Sequence, residues 1–191
     1  MDQPEIFVIA GPNGAGKTTG ASSILPERFP THWFINADEI AKSLGTDSPL
    51  VAGRVMLHRM HEARAWQDTF AFETTLAARS YVRFLTEAQQ LGYLVHIAYV
   101  WLSSVELAKK RVAVRVQRGG HDIPAGDIER RYWRGLRNFF DFYRDLADTW
   151  VLCDNSGRKL VVVADGLKGL EPTIHDPRRY QKICNAAAGT K

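Results

Sequence analysis

Ile6-Phe7-Val8-Ile9-Ala10-Gly11-Pro12-Asn13-Gly14-Ala15-Gly16-Lys17-Thr18-Thr19 decides the fold. The first five residues are apolar without a break, the pattern of a strand buried on both faces of a parallel sheet. Gly11 to Thr18 then match Gly-x-x-x-x-Gly-Lys-Ser/Thr, set between that strand and a helical pattern, where a phosphate-binding loop needs to lie. The glycines let successive backbone N–H groups converge on an anion, and the helix that follows adds partial positive charge. Gly11, Pro12, Asn13, Gly14, Ala15, Gly16, Lys17, Thr18 and Thr19 are therefore the expected nucleotide-binding residues. Lys17 is expected to reach the β- and γ-phosphates from an exposed anion site, and the Thr18 hydroxyl to take one position on Mg²⁺. A tight turn alone would require the glycines but not the Lys-Thr pair.

Outward from this loop, apolar runs alternate with helical periods. Strands are predicted at Ile6–Ala10, His32–Asn36, Phe70–Glu73, Tyr93–Trp101, Val151–Cys153 and Leu160–Ala164. Helices are predicted at Lys17–Leu25, Pro49–Gln67, Ser80–Leu91, Ser104–Arg118 and Ala125–Ala147. Alternation of this kind implies βαβ units around a mostly parallel sheet, an α/β fold in three layers. From Glu171 onward two prolines and weak periodicity predict an irregular tail, residues 171–191.

The chain has 191 residues, 45% of them hydrophobic, enough for one sizeable core. Its longest apolar run, Tyr93 to Leu102, is too short for a membrane span and is interrupted by His96. The N-terminus lacks the pattern of a signal peptide, so the expected location is the cytoplasm. Cys153 and Cys184 have neither a disulfide framework nor metal-ligand spacing around them. Between Lys109 and Arg144 stand ten basic residues and four acids, a local +6 in a chain of net +4. Such a segment suits a polyanion, either nucleic acid or a phosphorylated small molecule.

Ligands of open α/β sheets bind beyond the carboxyl ends of the strands. Two acids fall there: Asp38, two residues past one strand, and Glu73, closing another just before Thr74 and Thr75. An acid there suits a general base, a group that orders Mg²⁺ through its water shell, or a cap of the next helix, and a carboxylate ending an apolar strand, as Glu73 does, requires a polar cleft or a cation. Arg111, Arg115 and Arg118 are spaced to share one helix face before Gly119-Gly120. In the next helix Ile128, Tyr132, Leu136, Phe139, Tyr143 and Leu146 form an apolar stripe, with Arg130, Arg134 and Arg137 opposite and Arg131 at the border. Arginines carried by a closing lid would neutralise charge on a phosphoryl group in transfer.

Gly-Pro-Asn-Gly-Ala-Gly-Lys-Thr-Thr, Phe-Ile-Asn-Ala-Asp-Glu-Ile-Ala, Phe-Glu-Thr-Thr-Leu and Arg-Gly-Gly-His-Asp-Ile-Pro together resemble the zeta toxin family of P-loop kinases, over residues from about Ile6 to Asn155. The resemblance implies a P-loop kinase-like domain over residues 1–170 with a lid at residues 111–135. It implies that Lys17 and Thr18 hold ATP and Mg²⁺, with ATP ahead of GTP, and that Asp38 is the general base. Glu73 and Thr75, with Asp38, would contact the substrate. Arg118 and Arg131 would be the lid arginines, with Arg115 and Arg130 as competitors. Toxins of this family phosphorylate a sugar hydroxyl of UDP-N-acetylglucosamine, so the acceptor implied is a small molecule such as a nucleotide sugar, and an antitoxin protein is the implied partner. The Gly-Gly-His lid and the short C-terminal half depart from the plasmid-borne toxins. The reading is an ATP-dependent phosphotransferase; the alternatives are a nucleotide-dependent nucleic-acid-binding ATPase and a nucleotide-binding regulatory module without transfer chemistry. High-affinity nucleic-acid binding is not expected.

Overall fold

The computed structural model describes residues 3–19, 34–46 and 48–189. Seven strands form one sheet in the order β2-β3-β1-β4-β5-β6-β7. The strand Glu5–Ala10 (β1) lies between Phe70–Thr74 (β3) and Leu94–Trp101 (β4), parallel to both, with Ile6 in register with Phe70 and Val95. Phe34–Ile35 (β2) pairs with β3, and Thr149–Asp154 (β5) with β4, again in parallel. These five strands end at the same edge of the sheet.

Helices make the crossovers that parallel pairing demands. They are Ala37–Leu44 (α1), Pro49–Ala65 (α2), Ser80–Gln90 (α3), Val105–Gln117 (α4) and Ala125–Asn138 (α5). α5 continues through one turn of π helix, Phe139–Tyr143, into a last turn, Arg144–Leu146. Behind the phosphate loop helical backbone opens at residue 17; the rest of the helix expected over Lys17–Leu25 and the first residues of the strand expected over His32–Asn36 lie outside the described residues.

The sheet is mostly parallel, as expected, with its antiparallel part at one side, and the expectation for the tail is corrected. Val161–Leu167 (β6) runs antiparallel to β5, because the few residues between them allow a hairpin but no crossover helix. The segment expected to be an irregular tail forms a short strand, Thr173–Ile174 (β7), and a helix, Pro177–Ala188 (α6). Pro177 is the reason for the misreading: at the first helical position its missing N–H is harmless, and Asp176 caps the helix by accepting from the Arg179 amide at 2.9 Å. α6 offers few large apolar anchors, chiefly Ile183, fully buried, and Tyr180, partly buried, so its period is faint.

The main core lies between the sheet and its helices and includes Ile6, Val8, Phe70, Phe72, Val95, Ile97, Tyr99, Leu136, Phe139 and Tyr143. A second cluster, Ala15, Val100, Leu102, Val105, Ala108, Val112, Ile123, Ile128 and Tyr132, seats α4 and α5 beside the phosphate loop. The apolar stripe read along α5 is thus a core stripe, shared between the two clusters.

Candidate active site

Gly11 opens the loop with φ 140°, and a Cβ there would stand 2.2 Å from the Val100 carbonyl oxygen. Only glycine allows both that backbone and that approach. The Ala15 amide donates to the Pro12 carbonyl at 3.1 Å, closing the turn. From the far side Asn155, just past β5, donates through Nδ2 to the Ala15 carbonyl at 2.8 Å. Asn155 was not singled out in the sequence; it touches the loop from 140 residues away, and no local pattern marks it.

Lys17 is not exposed as expected: its side chain keeps 6% of its accessible surface. Its Nζ donates to the Pro12 carbonyl at 3.1 Å and lies 3.5 Å from Glu73 Oε1. The other Glu73 oxygen, Oε2, accepts from Thr18 Oγ1 at 2.7 Å and from Asn36 Nδ2 at 3.0 Å. Burial pulls the Lys17 ammonium below its ordinary value, and the Glu73 carboxylate opposes that shift without cancelling it. Glu73 therefore stands against the phosphate loop.

Asn36 resolves the ambiguity over Asp38. Its side chain caps α1 by accepting from the Asp38 amide at 2.8 Å, so the cap is Asn36 and the Asp38 carboxylate is free of that duty. Asn immediately before Ala-Asp-Glu is a cap signal that the sequence already held. Asp38 Oδ2 accepts instead from Arg115 NH1 at 3.3 Å. Both partners are substantially exposed, so the pair is worth ~0–1 kcal/mol and opens readily.

The arginines separate. Arg115 NH2 also donates to the His121 carbonyl at 2.9 Å, its stem passes where a Cβ on Gly120 would stand at 2.7 Å, and its Nε is buried with no hydrogen-bond partner among the described residues. Arg118 is the C-cap residue of α4, exposed, and its side chain has no ion pair or hydrogen bond among the described residues. The helix ends at Gln117, so the spacing that aligns Arg111, Arg115 and Arg118 on one face fails at its last member. Arg111 turns to the Ser156 and Gly157 carbonyls. Arg131 and Arg130 both face Asp127, at 3.9 and 2.8 Å. Thr75 follows β3, half-buried, and Thr19 is exposed on the helical turn behind Thr18. Of the expected site residues, Lys17, Thr18, Asp38 and Glu73 come together, joined by Asn36 and Arg115; Arg118 and Arg131 stay outside this set of contacts.

No family model matches the chain. An uncharacterized protein of Haemophilus influenzae is 30% identical over 136 residues, covering 69% of this chain and 94% of that one. Among solved structures, AvrRxo1-ORF1:-ORF2 crystallised with ATP superposes with a TM-score of 0.72 at 16% identity, over 95% of this chain. The chain spans only 63% of the length of that AvrRxo1 chain. The PezAT chromosomal toxin-antitoxin system of Streptococcus pneumoniae superposes with a TM-score of 0.65 at 16% identity, over 100% of this chain and 81% of that one. No helix among the described residues is long and apolar enough to cross a membrane. The chain belongs to one family with the Haemophilus influenzae protein, and its fold is the zeta-toxin-like P-loop kinase fold.

Proposed function

We propose that the protein is a kinase that transfers the γ-phosphoryl group of ATP to a hydroxyl of a small molecule, with a nucleotide sugar such as UDP-N-acetylglucosamine as the first acceptor to test. The observation that carries this reading is one polar cluster at the shared strand edge: Lys17, Thr18 and Glu73 in mutual contact, beside Asp38 paired with Arg115. It supplies an anion cradle, an acceptor of the hydroxyl proton and a mobile guanidinium, the parts that phosphoryl transfer needs.

The residues fit Mg²⁺ as well. One hydroxyl, Thr18 Oγ1, and one carboxylate, Glu73, 2.7 Å apart, match an ion that takes few protein ligands and completes its shell with phosphate and water. When bound, the ion would neutralise charge developing on the transferred group. Glu73 thereby moves from the acceptor side, where the family resemblance puts it, to the nucleotide side. On the acceptor side remain Asp38 and Thr75. In the transfer Asp38 takes the proton of the acceptor hydroxyl, the freed oxygen bonds to the γ-phosphorus, and the bond from that phosphorus to the bridging oxygen breaks, leaving ADP. Arg115, released from Asp38, offers its unpartnered Nε–H to a phosphoryl oxygen. Arg118 remains as a lid candidate that substrate would have to bring in, and Arg131 as one carried by α5 beside Asp127.

The basic segment lends less to a nucleic-acid reading than its charge suggests. Lys109, Arg115, Arg130, Arg131 and Arg144 each face an acid. A protein partner is a natural expectation, since PezAT is a toxin-antitoxin system and AvrRxo1-ORF1 was solved bound to -ORF2.

The test is incubation with Mg-ATP and a panel of nucleotide sugars, read by mass spectrometry for a product heavier by one phosphoryl group. Absence of any such product, together with tight DNA or RNA binding whose affinity falls by ~0.7–0.9 log units per neutralised phosphate for each log unit of salt, would replace the kinase with a nucleic-acid ATPase.

A further inference from the structure

Three carbonyls of the turn that follows β3 meet α5 and its π-turn continuation. The Thr75 carbonyl oxygen packs 2.1 Å from where a Cβ on Gly135 would stand. The Leu76 carbonyl accepts from Asn138 Nδ2 at 2.7 Å, and the Ala78 carbonyl from Tyr143 Oη at 2.6 Å. Between them Leu76 is fully buried in the left-handed region, φ 54°, with its amide donated to Thr74 Oγ1 at 3.1 Å. A leucine in that conformation persists only where its surroundings over-determine it.

The spacing of the three residues on α5 is a consequence of its π turn. Gly135 and Asn138 share a face as i and i+3; the wider turn at Phe139–Tyr143 then carries Tyr143, five residues after Asn138, back to the same side. Asn138 is a buried amide, 5% exposed, inside an otherwise apolar stripe. A buried amide contributes little to packing that an apolar residue would not, so its use here is the carbonyl it holds.

We propose that Gly135, Asn138 and Tyr143 are positioning residues: from α5 they fix the 75–78 turn as the floor of the acceptor side. The proposal rests on the reading of the β3 end as that side. It has a corollary for the lid. α5 is anchored over its length, by Ile128 and Tyr132 in one cluster and Leu136, Phe139 and Tyr143 in the other. Arg131 therefore rides on a fixed helix, and motion that brings arginines in belongs to the exposed end of α4 and the link to α5, residues 113–122.

The experiment compares the full-length wild type with Tyr143→Phe, which keeps the ring and removes one donor, and with Asn138→Ala. Hydrogen exchange is read at amides 74–79 against amides 11–17. Exchange at 74–79 is expected to speed up by roughly 5–10-fold in each variant, the loss of one hydrogen bond, with the phosphate loop unchanged and Mg-ATP affinity within about twofold. With UDP-N-acetylglucosamine as probe, the acceptor KM rises or kcat falls while the KM for ATP holds. A wild type inert toward that sugar refutes the acceptor proposed above and moves the kinetic comparison to ATP hydrolysis with water as acceptor, where Tyr143→Phe should lower kcat at constant ATP KM. Unchanged exchange at 74–79 in both variants, or wild-type kinetics despite faster exchange, overturns the positioning role.

Discussion

The two walls of the candidate site are made in opposite ways. The nucleotide wall is one run of chain, Gly11 to Thr18, whose backbone shape follows from its own glycines and whose remote supports are the Val100 carbonyl and Asn155. The facing wall has no such run. It joins Asp38 at the start of α1, the turn after β3, Arg115 near the end of α4 and three residues of α5. On the first wall one residue change is expected to remove nucleotide binding; on the second, the proposed chemistry depends on where helices end and which carbonyls they meet.

The sharpest break is expected at Lys17. Lys17→Ala should reduce turnover by ~10³-fold or more, since no other cation lies in the loop. The fold should survive, because the change removes a charge that burial already disfavours. Binding of a fluorescent ATP analogue and thermal unfolding, measured together, check both halves; a wild-type affinity would remove the phosphate assignment. Asp38→Asn comes next, slower by ~10²–10⁴, or about 3–5 kcal/mol of barrier, with ATP still bound. Since Asn36 is the cap, thermal stability should not change, and full activity would dismiss Asp38 as the base.

Arg115 and Arg118 sharpen the comparison further. Arg115→Ala is expected to lower kcat by ~10²–10³ with a small change in the ATP KM, and Arg118→Ala by less than ~10-fold, measured at saturating substrates. The reverse order would mean that the end of α4 rearranges on binding more than its apo geometry indicates.

These expectations also mark what the sequence could disclose. Lys17, Thr18 and the glycines were legible because their chemistry lies in adjacent residues. Asp38 and Glu73 were legible as acids after apolar strands, although the nucleotide-side position of Glu73 depends on Thr18, 55 residues away. The proposed preference for Arg115 over Arg118 was not legible: it turns on α4 ending at Gln117, just before Gly119 and Gly120. Gly135 had a signal, a glycine inside a strong helical period, which usually has a packing reason. Its partner, the Thr75 carbonyl, did not. α6 was hidden for a third reason, that a proline starting a helix and a proline breaking one look alike out of context.

Gly135→Ala tests the second wall where two principles conflict. Helix propensity alone predicts stabilisation of ~1 kcal/mol. A Cβ 2.1 Å from a backbone carbonyl must push the 75–78 turn away, an overpacking of about 1–3 kcal/mol that also strains Leu76 and its bond to Asn138. The clash should win, lowering Tm by roughly 2–8 °C in calorimetry and acceptor turnover with it, while ATP affinity stays. A stabilised, fully active variant would show the turn to be soft.

The smallest effect separates the walls by pH. Lys17 is held below its ordinary 10.5 by burial, with Glu73 opposing. Between that lowered value and 10.5 the unfolded chain binds the extra proton, so the part of stability owed to Lys17 rises with pH across that window, and the full burial penalty applies below it. Nucleotide binding must run the other way. Phosphate favours the ammonium and lifts its pKa in the complex, so ATP affinity should fall as pH climbs through the lowered value, by at most about tenfold per pH unit for a single proton. Titrating a fluorescent ATP analogue across the alkaline range should give a downward slope in the wild type, nearly flat in Lys17→Ala, and unaltered in Arg115→Ala. An equal slope in Lys17→Ala would assign the proton to another group and leave the buried lysine without a part in binding.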